Sequence, residues 1–275
     1  MSENCNGNCA GCQENCASRK PESLLEPTGD FNHIRHVVAV VSGKGGVGKS
    51  TVTSALAVLL ARAGKKVGIL DADITGPSIP KSFGIKEPAM QNELGIFPAT
   101  TAGGIKVISV NMMLPQEDMP VVWRGPVIAG AVKQFWQEVV WDDLDYLLVD
   151  CPPGTGDVPL TVFQIMPVDA AVVVTSPQDL VSMIVKKAVN MAKMMNIPVL
   201  GLVENMSYAV CPDCGKHFPV FGEGTADIAA ETGLEVLAKM PLDRTLAQLA
   251  DAGKMEDFKE DFLDGAVQKL LQLNV

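Results

Sequence analysis

Apolar residues in this chain fall into short continuous runs, separated by longer stretches where they recur every third or fourth position. The runs Val37–Val41, Val67–Leu70, Ile105–Val110, Tyr146–Val149, Ala170–Thr175, Val199–Val203 and Glu235–Met240 are rich in Val, Ile and Leu. Runs that are apolar throughout predict strands of a parallel sheet, because both faces of such a sheet are covered. Between them, Lys49–Ala63, Val127–Glu138, Leu180–Met194, Thr225–Thr232 and Thr245–Ala252 have the helical period, and a last helix is expected over Glu256–Leu273. This alternation predicts an α/β fold: a doubly wound, mostly parallel sheet with its sites beyond the carboxyl ends of the strands. Two stretches break the rhythm. Residues 1–32 are polar and aperiodic, and are expected to form a flexible arm ahead of a body at 33–275. Tyr208–Gly222 is expected to be an inserted loop.

Composition narrows the function. Of 275 residues, 47% are hydrophobic and only 5% aromatic, so a sizeable core must be mainly aliphatic. The net charge of −10 argues against nucleic-acid binding, which needs clustered cations to displace counterions, and against docking on anionic membranes. The weakly amphipathic segment 256–275 carries Glu256, Asp257, Glu260, Asp261 and Asp264, the wrong sign for an anionic surface. No apolar run approaches the roughly 20 residues of a membrane span. The polar N-terminus lacks the apolar centre of a signal peptide, which predicts a cytoplasmic protein. Disulfides are rare there, yet six of the seven cysteines sit in two tight clusters, a pattern that points to metal or redox chemistry.

The first chemical signal is Gly43-Lys-Gly-Gly-Val-Gly-Lys-Ser50, which fits the phosphate-loop pattern G-x-x-x-x-G-K-S/T. It follows a predicted strand and opens a predicted helix, the context that lets backbone N–H groups and a helix N-terminus face phosphate. The ATP-binding residues are therefore Gly43, Lys44, Gly45, Gly46, Val47, Gly48, Lys49, Ser50 and Thr51. Lys49 is expected on the β- and γ-phosphates and the Ser50 hydroxyl on Mg²⁺. Lys44 is a second lysine in the loop. Across the mouth of the site it would reach a nucleotide held by a facing subunit and act there as an arginine finger does.

Acidic residues complete the expected site. Asp150 ends an apolar strand and is the candidate for Mg²⁺ or its water. Asp73, after the strand Val67–Leu70, is the candidate for orienting the attacking water, with Asp71 a plain strand-end residue. Gly154 and Gly156 would let a switch loop follow the γ-phosphate. Asp157 reads either as part of that loop or as a helix N-cap.

Cys211-Pro-Asp-Cys214 offers two thiolates in a tight turn relaxed by Gly215. A stable centre needs four ligands, so a two-fold dimer would supply the set. Four thiolates suit a [4Fe–4S] cluster or Zn²⁺. Cys5, Cys9, Cys12 and Cys16 form a second constellation, with a [4Fe–4S] site favoured and Zn²⁺ the rival. His217 reads as a surface residue, Cys151 as a buried structural thiol, and Met191, Met194 and Met195 as helix core packing. Arg124 reads either as part of a dimer face or as a plain surface cation.

The lysine-doubled loop resembles the deviant Walker A group, which includes ParA and MinD partition ATPases, arsenite-pump ATPases and the nitrogenase iron protein. With "DADITGPSIP", "WRGP", "DCPPGTGD", "VENMS" and "CPDCG" following in order, residues 37–275 resemble Mrp/ApbC-type iron–sulfur cluster carrier ATPases. The resemblance implies a P-loop NTPase that ATP drives into a face-to-face homodimer, with a labile [4Fe–4S] cluster bridged by Cys211 and Cys214 and passed to apo iron–sulfur proteins. It makes Asn205 an adenine contact, with Pro241 and Asp243 walling the base, and it supports the roles given to Lys44 and Asp73. The arm cysteines resemble those of the scaffold-like branch, with a shorter first gap. The competing readings are a ParA/MinD-like partitioning or regulatory ATPase with structural zinc, and an electron-transfer reductase.

Overall fold

A computed structural model describes residues 24–73, 78–113, 125–177, 181–222 and 225–274. Strand β1 (His33–Ser42) leads through the glycine loop into α1 (Lys49–Arg62), β2 (Val67–Asp71) and a one-turn α2 (Ile79–Ser82). Three short strands follow, β3 (Met90–Asn92), β4 (Gly95–Phe97) and β5 (Ala99–Thr100), then β6 (Lys106–Ser109). The second half reads α3 (Gly125–Glu138), β7 (Asp143–Asp150), α4 (Asp157–Ile165), β8 (Val168–Thr175), α5 (Val181–Met194) and β9 (Val199–Val210). It closes with β10 (His217–Phe218), α6 (Thr225–Thr232), β11 (Val236–Pro241), α7 (Arg244–Asp251) and α8 (Asp264–Leu271).

The main sheet runs β10-β9-β8-β1-β7-β2-β6-β5, with β11 added beside β9. Its pairs are parallel apart from the edge strands β5 and β10, which lie antiparallel to β6 and β9. The predicted doubly wound, mostly parallel sheet is therefore what forms. Alternation along β1 explains the two layers. Val37, Ala39 and Val41 join a core with Val132 and Phe135 of α3, Val162 of α4 and Val185 of α5. Val38 and Val40 face the other way, with Leu56 and Leu60 of α1 and Leu270 of α8. Because β1 is central and buried on both sides, the loop at its carboxyl end starts from a rigid base.

Several sequence expectations change. The last helix is not continuous: a 3₁₀ turn at Met255–Asp257 and an irregular stretch precede α8. Phe258 and Leu263 are fully buried in that stretch, so packing there overrides the helical period. The expected loop at Tyr208–Gly222 is a hairpin, because β9 extends to Val210 and pairs with β10. Asp157 is the first residue of α4 rather than its cap; Gly156 holds the cap position without a side-chain bond. Met194 is 83% exposed while Met191 and Met195 pack against the core.

The boundary at residue 32 also moves. Residues 24–32, assigned to the arm, are tied to the body. Glu26 N donates to the Ile165 carbonyl at 2.9 Å, and Glu26 Oε1 pairs with Lys133 Nζ at 2.6 Å. The Asn32 amide donates to the Val139 carbonyl (2.8 Å), and its oxygen accepts from Trp141 N (2.7 Å). Both partners are buried and also bond each other, Trp141 N donating to the Val139 carbonyl at 3.1 Å, so Asn32→Ala would remove two hydrogen bonds without orphaning either backbone group. We expect it to lower the unfolding free energy by about 1–3 kcal/mol, read as a fall in the urea midpoint at unchanged slope.

Candidate functional site

The phosphate loop leaves β1 with Gly43 buried against the first turn of α5; a Cβ there would lie 2.9 Å from the Ile184 carbonyl carbon. Gly46 and Gly48 have φ of +80° and +79°, a conformation glycine adopts without the clash a Cβ brings. The loop is pinned from outside as well. Ser42 Oγ donates to the Lys44 carbonyl (3.1 Å), and Gly154 N donates to the Ser42 carbonyl (2.8 Å), which ties the switch segment to the loop base. Val47 is buried, Lys44 and Ser50 are half-buried, and Gly45 and Gly46 are exposed at the rim.

At the floor, sheet register sets the acids. Asp71 of β2 and Asp150 of β7 are direct partners, so two carboxylates end adjacent strands. Asp150 is fully buried and accepts from Lys49 Nζ (2.6 Å), Ser50 Oγ (2.6 Å) and Thr53 Oγ1 (2.7 Å). Asp73 Oδ2 lies 3.7 Å from Lys49 Nζ, and Asp73 N donates to Asp71 Oδ1 at 3.1 Å. The predicted Lys49, Ser50, Asp73 and Asp150 are therefore gathered within one constellation. Burial alone would lower the Lys49 pKa, but the charge and hydrogen bond of Asp150, with Asp73 and Asp71 behind it, raise it above 10.5, so it stays a cation.

Sequence reasoning missed Thr53 and undervalued Asp71. Thr53 lies one helical turn after Lys49, so a polar residue at i+4 on a largely buried helix was the available signal. Asp71 is 1% exposed, and its Oδ2 has no hydrogen-bond partner among the described residues. Burial first, then the charge of Asp150, push its carboxyl well above 3.8. For a carboxyl with a raised folded pKa, the unfolded state releases its proton first. Asp71 therefore costs stability increasingly as pH rises from about 3.8 towards its folded value. Asp71→Asn should raise the melting temperature of the nucleotide-free protein at pH 8 by several degrees, and the gain should shrink towards pH 5, as scanning calorimetry across pH would show.

In this structure the Asn205 amide is engaged within the protein. Its Nδ2 donates to the Val47 carbonyl (2.9 Å) and its Oδ1 accepts from Met206 N (2.9 Å). Pro241 ends β11 in register with Tyr208, and Asp243 caps α7 by accepting from Thr245 N at 2.6 Å. Asn205 also closes off the loop: a Cβ on Gly48 would come within 2.2 Å of its Nδ2. Gly48→Ala therefore combines a left-handed penalty of about 1–2 kcal/mol with a direct collision. We expect at least a tenfold loss of ADP affinity, measurable by titration calorimetry.

The thiol turn lies at the end of β9. Cys211 N donates to the Lys216 carbonyl (3.0 Å), and Gly215, at φ +69°, returns its N–H to the Cys211 carbonyl (2.9 Å). Hydrogen bonds from the backbone of Cys214 and Asp213 and from the Cys214 side chain lower the Cys211 pKa, which favours the thiolate a metal needs. Cys214 is exposed, and Val210, Phe218, Val220 and Phe221 form an exposed apolar surround. His217 is exposed and stacks on Tyr208. Among the described residues no group of three or more His, Cys, Asp or Glu is arranged to hold a metal ion. Cys151 is buried, its thiol pushed up to about 12 by burial, consistent with a structural role. Cys5, Cys9, Cys12, Cys16 and Arg124 lie outside the described residues. A separate concavity of about 450 Å³, lined by residues 29–32, 91–95 and 137–140, sits at the amino ends of β1 and β7, away from this chemistry.

Fold and phosphate loop together define a P-loop NTPase with the second, Lys44-type lysine. Comparison with known proteins narrows this. The family model described as ParA: NUBPL iron-transfer P-loop NTPase matches residues 33–272. The chain is 46% identical over 257 residues to an iron-sulfur cluster carrier protein of Methanocaldococcus jannaschii, covering 90% of this chain and 89% of that one. It is likewise 46% identical over 269 residues to a Clostridium perfringens protein of the same name, covering 92% and 94%. A nucleotide-binding protein from Archaeoglobus fulgidus, solved in complex with ADP, superposes with a TM-score of 0.75 at 45% identity, covering 84% and 91%. The cell division ATPase MinD of Pyrococcus furiosus, at 20% identity and a TM-score of 0.61 over 87% of this chain and 98% of that one, shares the fold. The chain belongs to the NUBPL iron-transfer P-loop NTPase family.

Proposed function

We propose that this protein binds Mg·ATP at the phosphate loop, pairs face to face with a second copy, and carries a [4Fe–4S] cluster between the two Cys211–Cys214 turns for delivery to apo iron–sulfur proteins. The observation that carries this reading is the half-set of ligands. One chain presents two thiols at the tip of an exposed hairpin, with no third metal-binding group beside them among the described residues. A two-fold axis through the hairpins brings two more thiols, and the apolar surround of Val210, Phe218 and Phe221 is the kind of surface a symmetric contact buries. The names of the relatives support cluster carriage over a partitioning role. We assign Cys5, Cys9, Cys12 and Cys16 to a second [4Fe–4S] or Zn²⁺ site.

The floor of the site supports ATP hydrolysis in this reading. Lys49, now on Asp150, turns to the β- and γ-phosphates. Ser50 Oγ and Asp150, oxygen donors already in contact, fit Mg²⁺, which would neutralise phosphate charge when bound. Asp73 orients the water whose oxygen bonds to the γ-phosphorus while the bond to the ADP oxygen breaks. Lys44, at the loop rim, reaches the partner's nucleotide. The Gly154 segment, fastened to Ser42, registers loss of the γ-phosphate and resets the dimer. The test compares cluster transfer to an apo-acceptor with ATP, with ADP and in Lys49→Ala. Distinct rates are expected, and equal rates in all three would remove the coupling.

A further inference from the structure

Strand β9 spans both halves of the site, and a bulge divides it. Up to Glu204 it is held in the sheet, paired with Thr175 of β8 and Lys239 of β11. The next β11 pair is Pro241 with Tyr208, so Met240 alone is set against Asn205, Met206 and Ser207. Inside this bulge Met206 has φ +58°. The other non-glycine residues with positive φ among the described residues are Asp142 and Asn196, types whose short polar side chains tolerate that conformation. A long apolar side chain does not, and strain of this kind persists only where the surroundings enforce it.

Asn205 enforces it. Its Oδ1 holds Met206 N while its Nδ2 holds the Val47 carbonyl of the phosphate loop, both at 2.9 Å. Beyond the bulge, Tyr208 stacks on His217 with ring centres 4.6 Å apart and planes 12° from parallel. The Tyr208 carbonyl accepts from Leu242 N at 2.7 Å. Cys211 lies three residues on. The phosphate loop and the thiol turn are thus joined through consecutive contacts, with one unfavourable backbone conformation between them.

We propose that Asn205 and Met206 form a latch: with the amide of Asn205 on Val47 the hairpin is held in place, and a nucleotide that draws Asn205 away lets Met206 relax and carries Tyr208 through Cys211 with it. The difference between the two states is the Asn205 bond that the ligand replaces, as any ligand-driven shift requires. The latch rests on the nucleotide half of the proposed function and is independent of what the thiols hold.

Amide hydrogen exchange over residues 207–218 of the full chain tests it, without nucleotide and with saturating Mg·ADP or a non-hydrolysable Mg·ATP analogue. Binding is titrated separately for each variant. In the wild type, nucleotide should speed exchange in this segment about threefold or more. Asn205→Ala should exchange at the fast level without nucleotide. Met206→Gly should stay at the slow level with nucleotide bound, because glycine has no strain to release. A merely structural role would change the level without collapsing the nucleotide response. Bound nucleotide with no change in wild-type exchange overturns the latch, as does a full response in Met206→Gly, which decides the matter if Asn205→Ala fails to fold. If the Mg·nucleotides do not bind at all, the nucleotide reading fails and the latch with it.

Discussion

Lys49→Ala should stop ATP turnover and also destabilise the empty protein. The first effect is loss of the cation that meets developing charge on the phosphates, a class of contact worth about 10²–10³ in rate. The second comes from the carboxylate left behind. Asp150 is fully buried beside Asp71, and Lys49 is the cation within reach of its Oδ2 at 2.6 Å. Removing one partner of such a pair costs roughly 3–5 kcal/mol, because the other charge remains desolvated. For a domain of this size that is a fall in melting temperature on the order of 10 °C. The pH dependence has a definite sign. The folded Lys49 pKa is raised above 10.5, so its contribution is complete below 10.5 and lost only as pH climbs through the folded value. Adding Asp150→Asn to Lys49→Ala should recover most of the melting temperature and none of the turnover. A double variant as unstable as Lys49→Ala would place the destabilisation elsewhere than in the stranded charge.

Cys211→Ser with Cys214→Ser should remove one shared cluster per dimer, about two iron and two sulfide per chain, from anaerobically reconstituted protein. ADP affinity should be unchanged, because the thiols sit on the exposed hairpin, whereas the phosphate site proposed here is the loop after β1. Iron and sulfide assays beside calorimetric ADP titration separate the two outcomes. Unchanged iron would mean that the hairpin is not a cluster site. A matching loss of zinc in place of iron would make it a structural knuckle.

The parallel sheet and the phosphate loop were legible because they depend on local signals. Continuous apolar runs such as Val37–Val41 announce two-sided burial, and a glycine-rich turn between strand and helix announces phosphate. What escaped depends on tertiary contact. Asp71 and Asp150 stand side by side only through the register of β2 and β7, 79 residues apart in the chain being 150 less 71. The break before α8 comes from burying Phe258 and Leu263, which a helical period cannot register. The hairpin at the thiols was hidden because β10 is two residues long, too short to carry a pattern. The Asn205 clamp follows from the closeness of Gly48, a packing fact with no sequence periodicity behind it.

Native mass spectrometry of the anaerobic, reconstituted protein with and without Mg·ATP tests the half-site claim most directly. The account predicts a dimer with Mg·ATP whose mass exceeds that of the Cys211→Ser/Cys214→Ser dimer by one [4Fe–4S] unit, after correction for the substitutions. Monomers under every nucleotide condition, or a Cys211-dependent cluster travelling on a single chain, would contradict it.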